Sequence, residues 1–548
     1  MDIDVNPPAA QGRWTHRLAG GAVAVFLGFN LGWAAAITHL SSFVTEPWGW
    51  FWLLNKPHTA LAFGLVTGLG VGLIYWKKGL APLAPLALAI IPAAPFMPAW
   101  ISFFQFYQSV AVDLAWPLLA LAFFGTAFNL IPRRQAPWPI NMDNPWAARI
   151  INVALPIAFV VIAASMFYTG EKLKRGAGFT GDSPQYLLVA DALVMDHSVD
   201  LMPAILREDH THWIEEPVGG HGQPYNAVEH YSKYKTGYPA VISPFVAIGW
   251  LFHADLRLLA IYGTFLFGAA VTWQLWELLH RDVKLSPSAS AMGVASVMFT
   301  FPMLAYGSQV YPEMFAALMV TLALRLLTQA DRAGAGSAVA MGVVMGLLLF
   351  LHDRFAFFGL PAIAAYFWLT RKAALRVWPP FLATLALFAA LNIYDLHARH
   401  FPIVPKEGTY GRTTSFWNSK GVYIGWLGVI LDKAHGALAY APVFLLAPAF
   451  LLGAAKARPK MAISILTLMA IPCLLVLSFE EWWAGTSPPG GRYVVAYYPA
   501  LAIFAGIFWQ TRPARWVYWL FFLLLGTGLV IGHNFFLYAK EDYLVHQC

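Results

Sequence analysis

The chain has 548 residues, of which 59% are hydrophobic and 16% aromatic, while only 11% are Asp, Glu, Lys or Arg. A soluble protein carries about 25% charged residues, so this composition excludes an ordinary soluble enzyme and points to a polytopic α-helical membrane protein. The formal charge of +7 does not indicate a nucleic-acid partner, because the basic residues lie in short loops between apolar runs, where they serve as topology signals.

From the start of the chain, MDIDVNPPAAQGRWTHR is polar and Pro-containing and follows no cleavable signal-peptide pattern. Apolar runs long enough to cross a bilayer then fall near 19–38, 58–75, 79–98, 109–131 and 150–168. A second series follows near 258–279, 289–305, 313–328, 335–351, 356–370, 376–394, 437–454, 461–478, 493–509 and 515–535. That is about fifteen spans. The basic loops at Lys77-Lys78, Arg133-Arg134, Arg281/Lys284, Arg332, Arg371-Lys372, Lys456/Arg458/Lys460 and Arg512/Arg515 share one side with Arg13 and Arg17. The positive-inside rule then places the N-terminus in the cytoplasm and the C-terminus outside. That assignment requires 237–253, GYPAVISPFVAIGWLFH, to lie at the outer interface rather than cross, as its shortness and two prolines suggest. Of two cysteines, Cys473 sits in an apolar run and Cys548 is last, so no disulfide framework is expected.

Three outer segments remain, 169–257, 395–436 and 479–492. Ten of the 28 Asp and Glu and six of the 35 Lys and Arg lie between residues 169 and 236. Joining two helices does not need a loop of that length, so it is the first place to look for function.

Asp182 opens that loop's first helix in GDSPQYLLVAD. The spacing predicts Asp182 as a cap with Gln185 bonding back and Pro184 in the first turn. Downstream, Leu187, Ala190 and Val194 share one face, leaving Asp191 and Asp196 toward water, which suits an interfacial amphipathic helix. A carboxylate held at a helix start is also oriented for chemistry, so cap and base are compatible readings. Glu313, in YGSQVYPEMFAAL, is a second acid at the outer mouth of a span. It is either a first-turn acid favoured by the helix dipole after Pro312 or a working carboxylate. Two such acids could divide the labour: one acts as general base on a hydroxyl, the other positions it or holds a divalent cation.

Basic entries face them. Lys233 and Lys235 close the loop in HYSKYKTGYP, His352 and Arg354 start a span in FLHDRFAFF, and Arg492 does so in SPPGGRYVVAYY. Arginine suits bidentate phosphate recognition and lysine acts as a point charge, although snorkelling anchors share this pattern. REDHTHWIEE and its surroundings hold Glu208, Asp209, His210, His212, Glu215, Glu216, His221 and His230, but no zinc-site spacing; a solvated loop is the plainer reading, and no metal ligand is assigned. There is no G-x-S-x-G, Walker or dinucleotide fingerprint.

This order of motifs, an Asp-Pro loop opening, a Lys-x-Gly-Tyr-Pro closing, a later Glu at a span start and the aromatic EEWWAGTSPPGGRYVVAYYPALA, resembles membrane glycosyltransferases of the GT-C superfamily. Within that superfamily it is similar to the lipid A aminoarabinose transferases and the protein O-mannosyltransferases. The likeness covers roughly residues 147–535 as a GT-C-like transmembrane core, and leaves 1–135 as a four-span accessory region without a counterpart. Ser183 stands where those relatives carry Glu. The resemblance implies an inverting, lipid-linked sugar transfer at the periplasmic face of a bacterial inner membrane. The donor would be a polyprenyl-phosphate sugar and the acceptor a glycan, lipid or protein. It implies Asp182 and Glu313 as catalytic acids, and Lys235, Tyr186, Trp482, Trp483, Arg492 and Tyr493 as substrate contacts, which His352 and Arg354 join as basic entries on the same face. A transporter or flippase for a lipid or anionic solute is the alternative, and a glycan ligase or polymerase shares the donor chemistry.

Overall fold

The computed structural model describes residues 145–173, 182–209, 222–224, 230–232, 234–399, 429, 437–477, 491–513 and 515–545. The four spans expected before residue 135 therefore lie outside the described residues. The chain forms two compact units. One comprises residues 1–138 and 514–534, and its described part belongs to a terminal helix, Arg515–Val545. The other comprises residues 139–513 and 535–548 and holds everything below.

Among its described residues the second unit is all-α apart from one short ribbon. Its elements run α1 (Pro145–Leu173), α2 (Ser183–Met195), α3 (Met202–Leu206), then strands β1 (Gly222–Pro224) and β2 (His230–Ser232), which pair antiparallel. There follow α4 (Gly237–Phe252), α5 (Leu256–Glu277) running into a π turn at Leu278–Asp282, α6 (Pro287–Met298), α7 (Phe301–Gly307), α8 (Pro312–Thr328) and α9 (Ala335–Leu351). After them come α10 (Asp353–Thr370), α11 (Ala374–Ala398), α12 (Ala437–Tyr440), α13 (Ala447–Ala457), α14 (Pro459–Leu477), α15 (Arg492–Val495) and α16 (Tyr498–Gln510). Proline sits in the first turn of α2, α3, α6, α7, α8, α13 and α16, where its missing N–H removes no helical bond and its fixed φ suits the start.

Among the described residues, three helical stretches are long and apolar enough to cross a membrane: Ala148–Tyr168, Leu256–Asp282 and Asp353–Ala398. The last has 46 residues. As one rod it would measure roughly 69 Å, about twice a hydrocarbon core. The ring of Phe381, however, lies 5.3 Å from both Tyr366 and Phe367. The chain thus doubles back at the tight turn Arg371–Ala373, where the sequence places two basic residues between two spans. The run expected to cross at 289–305 is instead broken: α6 and α7 meet at 70°, with Pro302 in the first turn of the second piece. α4 has 16 residues with Pro244 inside, short of a full crossing, as its sequence suggests.

The helices pack in pairs: α1 on α5, α6 on α16, α9 on α11 and α2 on α4. Small residues allow the close approaches; a Cβ added at Gly293 would lie 2.9 Å from the Cα of Gly506. The helix ends gather polar groups into two layers. One holds Arg325 on Asp282 and Gln274, Gln329 on Asp282, Arg458 on the Val283 carbonyl, and Gln510 accepting from the Ser286 amide. The other is the site below.

Candidate functional site

Five segments bring their ends together: the start of α2, the residues before α4, the start of α8, the α9–α10 junction and the start of α15. Asp182 precedes α2, but its side chain makes no capping bond to its own helix. The expected capping box is therefore not formed. Its carboxylate points elsewhere: Arg492 Nη2 donates to Oδ2 at 2.8 Å and the Tyr234 hydroxyl donates to Oδ1 at 2.5 Å.

Arg492 is the hub. Gly491, with φ +78° and a prospective Cβ only 2.6 Å from a Val429 methyl, turns the chain so that Arg492 enters the first turn of α15. Its Nε donates to Glu313 Oε1 at 2.7 Å, and its guanidinium lies 4.3 Å from the centre of the Tyr311 ring. Glu313 Oε1 also accepts from Arg354 Nη2 at 2.5 Å. The Arg354 guanidinium is flanked by the rings of Phe355 and Tyr493, each centred 4.9 Å away. Charge-assisted bonds of this kind are among the stronger ones, and aromatic faces add cation–π attraction. The result is an alternating chain, Asp182, Arg492, Glu313, Arg354, in which each charge faces an opposite one. Glu313, Arg354 and Arg492 are buried, whereas the Asp182 side chain is 22% exposed. Asp182 is where the network opens.

The burial changes several expectations. Glu313, expected at an outer lip, is fully buried and holds two arginines on one oxygen, which makes it an anchor within the site. Tyr186, expected against substrate, is 2% exposed; it packs between Tyr234 and Tyr238, with centroids 5.0 and 5.3 Å away. Lys235 gives its ammonium to the Leu349 carbonyl at 3.0 Å, Asn392 Oδ1 at 3.1 Å and Asp353 Oδ1 at 2.5 Å. Through these two hydrogen bonds and one ion pair Lys235 ties helix ends together. His352 accepts the Arg354 amide on Nδ1 at 3.3 Å and caps α10. Burial, and then the cations Arg354, Arg492 and Lys235, hold its imidazole well below the usual range. That direction favours the neutral ring, with which His352 caps α10. Trp482, Trp483 and Lys233 lie outside the described residues, as do His210, His212, Glu215, Glu216 and His221. Among the described residues no group of three His, Cys, Asp or Glu could hold a metal.

α2 also departs from expectation. Residues Ser183 to Ala192 are all buried, Asp191 included, because α2 is packed against α4 rather than laid on a surface. Asp191 meets the indole N–H of Trp250 at 2.6 Å. Burial, opposed by that bond and reinforced by Asp209, pushes its carboxyl from near 3.8 to about 6.

Two tyrosines escape a reading based on charge. Tyr234 lies between the conspicuous Lys233 and Lys235, and Tyr311 directly precedes Pro312-Glu313. The Tyr311 hydroxyl accepts from the Asp182 amide at 3.3 Å. Burial, and then the Asp182 carboxylate, raise the Tyr234 phenol far above its ordinary range, so it stays protonated and donates. Compared with protein-family models, with curated proteins and with solved structures, the chain matches none.

Proposed function

We propose that this chain is an inverting membrane glycosyltransferase that moves a sugar from a polyprenyl-phosphate donor to an acceptor hydroxyl. One observation carries the reading: Asp182 is the exposed end of a buried alternating ion chain. Fixed donors occupy both its oxygens, which holds the partly exposed carboxylate in one orientation. A base held so takes a proton from a hydroxyl without reorganising. As attack proceeds, negative charge grows on the departing phosphate. Arg354 and Arg492 lie in the same layer, preorganised by Glu313, and stabilise that charge electrostatically. In this reading the layer faces the periplasm of a bacterial inner membrane, opposite the basic turn at Arg371-Lys372.

A transporter or flippase for an anionic lipid or solute is the second reading, favoured by the burial of Glu313 and Arg354 between apolar helices. One experiment separates the two. Purified protein is incubated with a panel of polyprenyl-phosphate sugars and acceptors, and free polyprenyl phosphate is measured. The expected result is release that Asp182→Asn abolishes without loss of folded protein. Absence of release with every donor, together with uptake into vesicles, would establish transport instead.

A further inference from the structure

Residues 230–232 and 234–236, which lead into α4 at Gly237, are tied down by several side-chain bonds. β2 ends at Ser232, whose hydroxyl accepts the Tyr234 amide at 3.1 Å and bends the chain. Arg399, one residue past α11, donates from Nη1 to the carbonyls of Ser232 at 3.2 Å and Tyr234 at 3.1 Å. Its Nε and Nη2 grip both oxygens of Asp395 at 3.1 and 2.6 Å. Asp395 in turn accepts from the Thr236 hydroxyl. Both charges are buried, Arg399 to 3% and Asp395 to 4% exposure. On the other side Lys235 is fully occupied by Leu349, Asn392 and Asp353. A Cβ at Gly237 would fall 2.2 Å from the Phe350 carbonyl oxygen, so glycine lets the segment lie directly on the end of α9.

These bonds fix the backbone on both sides of Tyr234 while leaving its phenol aimed at Asp182 Oδ1, 2.5 Å away. Burying two charges is costly; what this pair secures is the path of the chain beside Asp182. We infer that Tyr234 is a positioning residue that orients the Asp182 carboxylate and favours its ionised form, and that the buried Arg399–Asp395 pair holds Tyr234 in place. A donor to the charged form stabilises it, and a phenol kept protonated by its surroundings is a permanent donor. Among the described residues, the other groups around Asp182 include Arg492 from α15, Tyr311 before α8 and Tyr186 on α2. Glu313, Arg354 and His352 stand one step further out. None of them is placed on Oδ1 by an ionic clamp of its own.

The inference rests on the proposed catalytic role of Asp182 only for its effect on turnover, so the test reads the carboxyl directly. Full-length protein in liposomes is titrated by infrared difference spectroscopy, with Asp182→Asn as the reference that isolates the Asp182 carboxyl band. Tyr234→Phe, which keeps the ring, should raise the midpoint of that band by about one pH unit. Arg399→Lys, which keeps the charge but loses the fork, should raise it in the same direction. The double variant should go no further than Tyr234→Phe alone, because both act through one bond. The same variants should move the acidic limb of the turnover profile upward by the same amount. An unchanged midpoint in Tyr234→Phe overturns the inference, as does an additive double variant. A shifted midpoint in a protein whose Asp182→Asn form turns over normally sinks the catalytic reading and leaves the Tyr234 coupling standing.

Discussion

Replacing Glu313 by Gln removes one negative charge from between two buried guanidiniums. Glu313 Oε1 is 2.5 Å from Arg354 Nη2 and 2.7 Å from Arg492 Nε, and the side chain is wholly inaccessible. With charge centres roughly 4 Å apart and an effective dielectric of about 20, each pair is worth about 4 kcal/mol. The desolvation of an ionised carboxylate, several kcal/mol, offsets part of the sum. Arg492 keeps Asp182 as a partner, but Arg354 loses its carboxylate and the two arginines repel each other. The expected net cost is about 3–5 kcal/mol, the usual cost of leaving a buried charge uncompensated. Thermal unfolding of the purified protein in detergent micelles measures it. Glu313→Asp, which keeps the charge on a shorter arm, should cost less. Adding Arg354→Met to Glu313→Gln should recover about half of the loss, because the orphaned cation goes with its partner. A Glu313→Gln protein within about 1 kcal/mol of the parent would refute the view that this carboxylate anchors both arginines.

Three further outcomes follow from the same geometry. Asp191→Asn should stabilise the protein at pH 7.5 by about 1–2 kcal/mol, since the carboxyl titrates near 6 when folded and near 3.8 otherwise. The sign is that of an acid raised by folding: stability is complete below about pH 4 and declines as pH rises through 6. Unfolding at about pH 3 should therefore show little difference between the two proteins, and a difference of equal size there excludes ionisation of Asp191 as its source. Gly237→Ala should cost about 1–3 kcal/mol through overpacking against the Phe350 carbonyl, and should speed amide exchange at residues 234–237; protection equal to the parent's argues against a tight seat on α9. Lys235→Met should lower stability by about 1–3 kcal/mol while leaving the apparent affinity for a polyprenyl-phosphate donor unchanged, which a large rise in KM would contradict.

Several features were legible along the chain because they are local. Apolar runs, first-turn prolines and the basic turn at Arg371-Lys372 each depend on neighbouring residues, so helix after helix could be placed from them. The short, proline-containing α4 was recognisable in the same way. Asp182, Glu313, Arg354 and Arg492 stood out because charge at the end of an apolar run is conspicuous, whether or not it does chemistry. The break between α6 and α7 was not apparent, since an apolar run continues through a 70° bend as smoothly as through a straight helix.

What only the tertiary structure decided is which charge meets which. Residues 182, 313 and 492 are far apart in sequence, and no pattern of spacing states that Arg492 bridges the other two. The pairing follows from helices being packed until their ends share one layer, where an unpaired charge would be too costly to leave. The same packing gave Lys235 and His352 ties at helix ends that their positions in the sequence do not announce, and it buried Asp191 on a helix expected to float at an interface. It also gave Tyr234 and Tyr311 their places. An uncharged phenol leaves no mark in a charge pattern; its role appears only when folding brings a carboxylate within reach of its hydroxyl.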